Sequence, residues 1–236
     1  MNIFYYDIAI PIPIRETFTY QSKEIIKSGS RVAVKFRNKD IVGYVVKQLD
    51  DKPDFLTTDI SEILDREPIF KPSDMQIILW LADYYHHPIG EVFDTFCPPV
   101  LRKIIKTDTL MSAKETRYLA SEEDKVFELN EEQVDCLKEI KSLKGFDPCL
   151  LYGVTGSGKT EIYLQTADSY LSKGYSILIL VPEISLTPQL QERFINRFGD
   201  NIGIYHSRQT PKQRFDLWQR ARSCLLYTSP SPRDRG

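Results

Sequence analysis

A chain of 236 residues has room for one large domain or two small ones, and 42% hydrophobic with 27% charged residues is the composition of a packed, soluble-type core. The longest apolar runs, such as Ile177 to Val181, are too short to span a bilayer, and no basic segment, apolar stretch and cleavage site open the chain as in a secretory signal. A net charge of −2 supplies no global field for nucleic acid, and four cysteines without a C-x-x-C pair speak against a zinc site and suit a reducing cytoplasm.

Residues 1–100 read as a small β-rich domain. Ile3 to Ile10 is a strand, Pro11-Ile-Pro13 fixes an extended segment, and Thr17 to Tyr20 follows. Arg31 to Phe36 and Ile41 to Val46 alternate with a period of two about Arg37-Asn-Lys-Asp40, which predicts a hairpin. Residues 50–70 read as connecting material. Ser73 with Gln76 forms a capping-box pattern for a helix whose apolar stripe is Met75, Ile78, Leu79, Ala82 and Tyr85, ending before Pro88. That helix end packs on the barrel in the simplest reading, and Tyr84, Tyr85 and His86 stacking on a nucleobase is the alternative. Residues 101–128, with Ser121-Glu-Glu-Asp124, read as a solvated linker.

Residues 129–223 carry the chemistry. Gly153 to Thr160 spells G-x-x-x-x-G-K-T between an apolar run, Cys149 to Tyr152, and a helical pattern from Glu161 to Leu171. In such a loop Gly153, Gly156 and Gly158 let the backbone turn with φ > 0 and aim its N–H groups at phosphate oxygens. The helix N-terminus adds to the same anion site. Lys159 reaches the β- and γ-phosphates and the Thr160 hydroxyl is placed for Mg²⁺. These make Lys159 and Thr160 the catalytic pair, and Thr155, Ser157 and Glu161 complete the expected nucleotide-binding set. ATP and Mg²⁺ are the implied cofactors. Asn130 and Gln133 form a helix start, and Gln133 also matches in spacing the adenine-recognising glutamine of superfamily-two helicases.

Downstream, Ser176 to Val181 reads as a buried parallel strand, Pro188 to Phe198 as a helix capped by Thr187, and Ile202 to Tyr205 as a further strand before His206-Ser207. Thr210-Pro211 opens another helix, and Arg208, Lys212, Arg214, Arg220 and Arg222 face only Asp216 in charge, a pattern usual for a solvated surface. Strands alternating with helices, with a ligand loop at a strand's carboxyl end, predict an open parallel sheet. The fold class is therefore α/β: a small β-rich N-terminal domain followed by an incomplete RecA-like P-loop domain. Residues 224–236 turn abruptly to Ser, Pro and Arg without periodicity and read as a non-native tail, a translated adapter joined to a broken frame.

The ordered set Y-Y-D-I-A-I-P-I-P-I-R-E-T-F-T-Y at 5–20, Y-Y-H-H-P-I-G at 84–90, L-N-E-E-Q at 129–133, G-V-T-G-S-G-K-T-E-I-Y at 153–163, L-V-P-E-I-S-L-T-P-Q at 180–189 and H-S at 206–207 resembles the PriA family of primosomal replication-restart helicases. The likeness covers about residues 1–223. It implies an N-terminal domain that binds the 3′ end of nascent DNA, a 3′-to-5′ ATP-dependent helicase engine, and primosome and helicase-loader proteins as partners, with no membrane role. By the same resemblance Phe18 is the aromatic residue of the 3′-end pocket motif T-F-D-Y. Thr187, His206 and Ser207 hold DNA backbone phosphates. Thr19 stands where that motif commonly has Asp, and Arg37 where a Gly usually follows the strand. The short linker implies that a winged-helix domain is absent. The D-E-x-H motif and zinc-binding cysteines of the family do not occur in these 236 residues, so the chain reads as an N-terminal fragment without hydrolytic activity. The alternatives are a DNA-binding module alone, or a small P-loop phosphotransferase using Glu183 as its acidic residue.

Overall fold

A computed structural model describes residues 2–110, 126–181, 188–199 and 202–222. Two compact units make up the chain, one around a β-barrel and one around the Gly-rich loop. No described helix is long and apolar enough to cross a membrane.

Five strands close the barrel in the order β1-β2-β5-β3-β4: β1 (Phe4–Ala9), β2 (Phe18–Ser22), β3 (Arg31–Phe36), β4 (Lys39–Leu49) and β5 (Thr58–Ile63). The alternation read in the sequence sets what faces inward. Tyr6, Ile8, Ile10, Tyr20, Ile26, Val32, Val34 and Val45 form the core, with Phe18, Phe36, Ile41, Ile60 and Ile63 packed against it. The β3–β4 hairpin turns through Arg37 (φ 45°) and Asn38 (φ 63°), both left-handed, as a two-residue hairpin requires.

β5 corrects the reading of 50–70 as connecting material. Its sequence, Thr-Asp-Ile-Ser-Glu-Ile, has no period of two, because the apolar residues are three apart. A register shift lets Val34 pair with Ile60 while Val32 pairs with Ile63, so one extra residue on β5 brings both isoleucines to the core. β5 lies parallel to β2 and antiparallel to β3, and without it the barrel would be open.

Helix α1 (Pro72–Tyr84) starts two residues earlier than the capping-box pattern placed it, with Lys71 rather than Ser73 as its N-cap. Asp74, not Gln76, closes its first turn by accepting the Lys71 amide at 2.8 Å, with Pro72 supplying a preset φ. Met75, Ile78 and Ala82 are buried, but Leu79 and Tyr85 are exposed, together with Ile77, Trp80 and Tyr84. Trp80 stacks on Tyr84 at 5.1 Å, and Tyr84 meets Tyr85 edge-on at 4.9 Å. The end of α1 therefore does not bury its tyrosines on the barrel. Helix α2 (Ile89–Phe96) packs so closely on the chain after β1 that a Cβ on Gly90 would fall 1.8 Å from the carbonyl oxygen of Ile10. Phe93 stacks on Tyr44 at 5.1 Å and meets Phe70 at 5.4 Å.

The barrel unit does not stop at residue 100. Arg31 is fully buried and pairs with buried Asp65, its Nη2 2.6 Å from Oδ1. The guanidinium also donates to the carbonyl oxygens of Leu101 (2.6 Å) and Ile105 (3.1 Å) and to Thr107 Oγ1 (2.9 Å). A short helical turn, Pro99–Arg102, and α3 (Thr107–Leu110) are thereby carried on this unit.

The second unit contains α4 (Glu131–Ser142), α5 (Lys159–Leu171) and α6 (Pro188–Phe198), and α7 (Pro211–Arg222) follows in the chain. Asn130 and Gln133 exchange cap hydrogen bonds at 2.9 Å each, and Thr210 and Gln213 exchange theirs at 2.9 and 3.2 Å for α7. Tyr170 on α5 donates to the carbonyl oxygen of Ile140 on α4 at 3.3 Å.

The parallel sheet of the sequence reading is not formed among the described residues: 149–152, 176–181 and 202–205 carry no ladder assignment. Exposure still alternates along 177–181, with Leu178 and Leu180 more than 80% exposed and Ile177, Ile179 and Val181 near 40%. The alternation is that of an extended, strand-like segment. A parallel strand has no internal hydrogen bonds and is defined only by its neighbours. The tail 224–236, the charged run 121–124 and Thr187 with Glu183 lie outside the described residues.

Candidate functional site

The Gly-rich loop runs from Gly153 into the first turn of α5. Gly156 (φ 82°) and Gly158 (φ 81°) are left-handed, as expected, but Gly153 is not among the positive-φ residues. A Cβ there would lie 2.7 Å from Ser157 Oγ, a contact that rotation of the serine side chain relieves. Gly158 is constrained twice, since it caps α5 in the left-handed conformation and a Cβ would meet Gln133 Nε2 at 2.4 Å. Lys159 folds back over the loop. Its ammonium donates to the carbonyl oxygens of Gly153 and of Val154 (2.8 Å) and approaches Ser157 Oγ at 3.4 Å. Thr160 is half-buried in the first helical turn, where backbone amides have no intrahelical acceptor, and Thr155 is exposed on the loop.

Gln133 is the residue that joins α4 to this loop. Oε1 accepts the Asn130 amide at 2.9 Å while Nε2 donates to the carbonyl oxygen of Ser157 at 2.8 Å. The carboxamide retains one N–H and one lone pair, the number an adenine N6/N7 edge needs. The cap and the base contact are thus compatible in one side chain.

Glu161 is placed differently from the rest of the expected nucleotide set. Its carboxylate is nearly buried and bonds to Arg193 of α6 (2.7 Å), within 3.6 Å of Arg197. The two arginines are the site residues that sequence reading missed, and their i, i+4 spacing on one face of α6 was the available signal.

On the barrel, Phe18 of β2 meets Phe36 of β3 edge-on at 5.1 Å, and the Arg37 guanidinium lies 5.4 Å from the Phe36 ring. Thr19, on the opposite face of β2, donates to Asp7 Oδ1 across the β1–β2 ladder at 3.4 Å, and Lys47 of β4 lies 3.6 Å from Asp7 Oδ2. A carboxylate therefore stands beside position 19 although residue 19 is a threonine. It was legible only as a polar residue interrupting a strand. His206 and Ser207 form a turn before α7, in which the Gln209 amide donates to the His206 carbonyl at 3.3 Å. His86 and His87 engage Arg15 and Glu91, at 3.3 and 3.0 Å, and among the described residues no group of three or more His, Cys, Asp or Glu is arranged to hold a metal ion.

Comparison with known proteins also divides the chain into two parts. Residues 7–98 match the family described as 3'DNA-binding domain (3'BD), and residues 126–225 match the family described as type III restriction enzyme, res subunit. The replication restart protein PriA of Helicobacter pylori is 32% identical over 213 residues, covering 90% of this chain and 31% of the relative. That of Treponema pallidum is 26% identical over 238 residues, covering 95% and 35%, and that of a Synechocystis strain is 48% identical over 92 residues, covering 39% and 11%. The chain spans about a third of the length of the relatives that it matches over most of its own. With both units matched separately and such relatives aligned along nine-tenths of the sequence, the chain belongs to the PriA family of replication restart proteins.

Proposed function

We propose that the chain binds Mg²⁺-ATP at the Gly-rich loop and the 3′ end of DNA on the barrel, and that it does so as part of a 3′-to-5′ DNA helicase that restarts stalled replication. The observation that carries the nucleotide half is the hydrogen bond from Gln133 to the loop carbonyl of Ser157. It suspends an adenine-reading side chain from the phosphate cradle, so both ends of one nucleotide meet a single rigid frame. The residues fit the ligand: two left-handed glycines shape the loop ahead of a helix N-terminus, and Lys159 supplies the cation. Lys159 would exchange its carbonyl partners for β- and γ-phosphate oxygens, and Thr160 would hold Mg²⁺. Bound Mg²⁺ neutralises charge on the transferring phosphoryl group.

Hydrolysis needs an acidic Mg²⁺ ligand and a water-orienting carboxylate, and these 236 residues contain no D-E-x-H motif. Binding without turnover is therefore expected of the chain. Primosome and helicase-loader proteins are its partners in this reading, and Thr187, His206 and Ser207 contact the DNA backbone.

The test is nucleotide binding by a fluorescent ATP analogue. Lys159→Ala removes a charged hydrogen-bonding partner worth about 1.5–3 kcal/mol, so affinity is expected to fall roughly 10- to 100-fold. Equal binding by both proteins refutes the loop's role. It would favour the second reading, a DNA-binding module only, which draws support from the barrel's own closed core.

A further inference from the structure

Glu161 follows Thr160 directly, yet its side chain turns away from the loop into contacts with α6. Its carboxylate is 6% exposed and receives three groups: Arg193 Nη2 on Oε2 at 2.7 Å, Arg197 Nη2 near Oε1 at 3.6 Å, and Gln165 Nε2 on Oε1 at 3.0 Å. Asp168, two turns beyond Glu161 on α5, accepts Arg197 Nε at 2.8 Å. Glu161, Gln165 and Asp168 share one face of α5, and Arg193 and Arg197 share one face of α6. Gln165 also donates to the carbonyl oxygen of Phe127 at 3.1 Å, and the Arg193 guanidinium lies 5.4 Å from the Phe127 ring. One buried carboxylate is therefore the meeting point of α5, α6 and the segment that leads into Gln133.

A buried ion pair adds little net stability compared with an apolar contact of the same shape, whereas its directional hydrogen bonds fix one arrangement of the elements it joins. Here the fixed element is the helical turn that bears Lys159 and Thr160. We propose that Glu161 is a positioning residue for the nucleotide site: it does not touch the nucleotide, and through Arg193 and Arg197 it sets the rotation of α5 so that the Thr160 hydroxyl meets Mg²⁺. The inference rests on the reading of residues 153–160 as a Mg²⁺-ATP site. A misplacement of about 1 Å is enough to forfeit such a contact.

The full 236-residue chain tests it, with ATP affinity measured in Mg²⁺ and in EDTA, and the ratio of the two taken for each variant. Glu161→Gln keeps the shape of the side chain and removes its charge. Its affinity in Mg²⁺ is expected to drop about tenfold, as for residues that orient a metal ligand from behind, with a smaller drop in EDTA, so the ratio shrinks. Arg193→Gln is expected to do the same, and the double variant no worse than either alone, because the two residues act through one contact. A purely structural role lowers the folded fraction, reduces both affinities by one factor and leaves the ratio unchanged. That result, or additive losses in the double variant, overturns the proposal. Lys159→Ala separates the two levels. If wild type and Lys159→Ala bind alike, or neither binds, the nucleotide reading fails and the inference with it. If Lys159→Ala alone loses binding while Glu161→Gln keeps its ratio, only the inference falls.

Discussion

At Gln133, one oxygen holds the start of α4 and one nitrogen holds the loop that precedes α5, so a change there is felt in both elements. The cap was legible in the Asn130–Gln133 spacing, since it depends on local pattern, whereas the hydrogen bond to Ser157, 24 positions on, was not. Glu161 was legible as a loop neighbour only, because the arginines that define its role arrive some thirty positions later on another helix. Cys97 illustrates the same limit on the barrel. Burial pushes its thiol up from 9.0 to about 12, against the weaker opposing effect of its hydrogen bond with Tyr44, and Tyr44 is itself raised by burial. A thiol whose pKa is raised by folding favours the folded state fully below its unfolded value and loses that contribution as pH rises toward the folded value. Stability is therefore expected to decline between about pH 9 and 12, as measured by thermal unfolding across that range. In the same range Cys97 is expected to resist alkylation while exposed Cys149 reacts, and equal labelling of the two in the folded chain would contradict the buried placement.

Among the elements, those with a regular period were readable and those defined by partners were not. The β3–β4 hairpin follows from alternation about Arg37-Asn38, whereas β5 owes its existence to ladders with β2 and β3 and to a register shift that no single-sequence period reveals. The continuation of the barrel unit past residue 100 depends in the same way on one buried side chain, Arg31, gathering the carbonyl oxygens of Leu101 and Ile105. Asp65→Asn leaves that guanidinium without a counter-charge and is expected to destabilise the barrel by about 3–5 kcal/mol in urea unfolding. Replacing both members with apolar residues of similar volume is expected to cost much less. If Asp65→Asn unfolds at the wild-type midpoint, the pair does not clamp 101–107 to the barrel.

For the molecule as a whole, the period of two in residues 1–48 marked the barrel, and the G-x-x-x-x-G-K-T loop with its helix marked the second unit. Helical spacing alone did not divide them, since α1 and α2 belong to the barrel unit. The parallel sheet was visible only as apolar runs, and among the described residues these runs remain without ladders because strand pairing is a property of neighbours rather than of the segment itself. In the proposed 3′-end reading, the barrel's contacts are Phe18 against Phe36, and Thr19 donating to an Asp7 carboxylate that is also paired with Lys47. A carboxylate accepts from a terminal 3′-hydroxyl and repels a 3′-phosphate, so that reading requires the surface to distinguish the end group of the DNA. Fluorescence anisotropy with forked DNA carrying either a free 3′-hydroxyl or a 3′-phosphate, at fixed moderate salt, measures that distinction directly. An end-reading barrel predicts binding that weakens markedly when the 3′ end is blocked. Equal binding to both DNAs, fading steeply with added salt, would mean attraction to the phosphate backbone alone and would contradict the account.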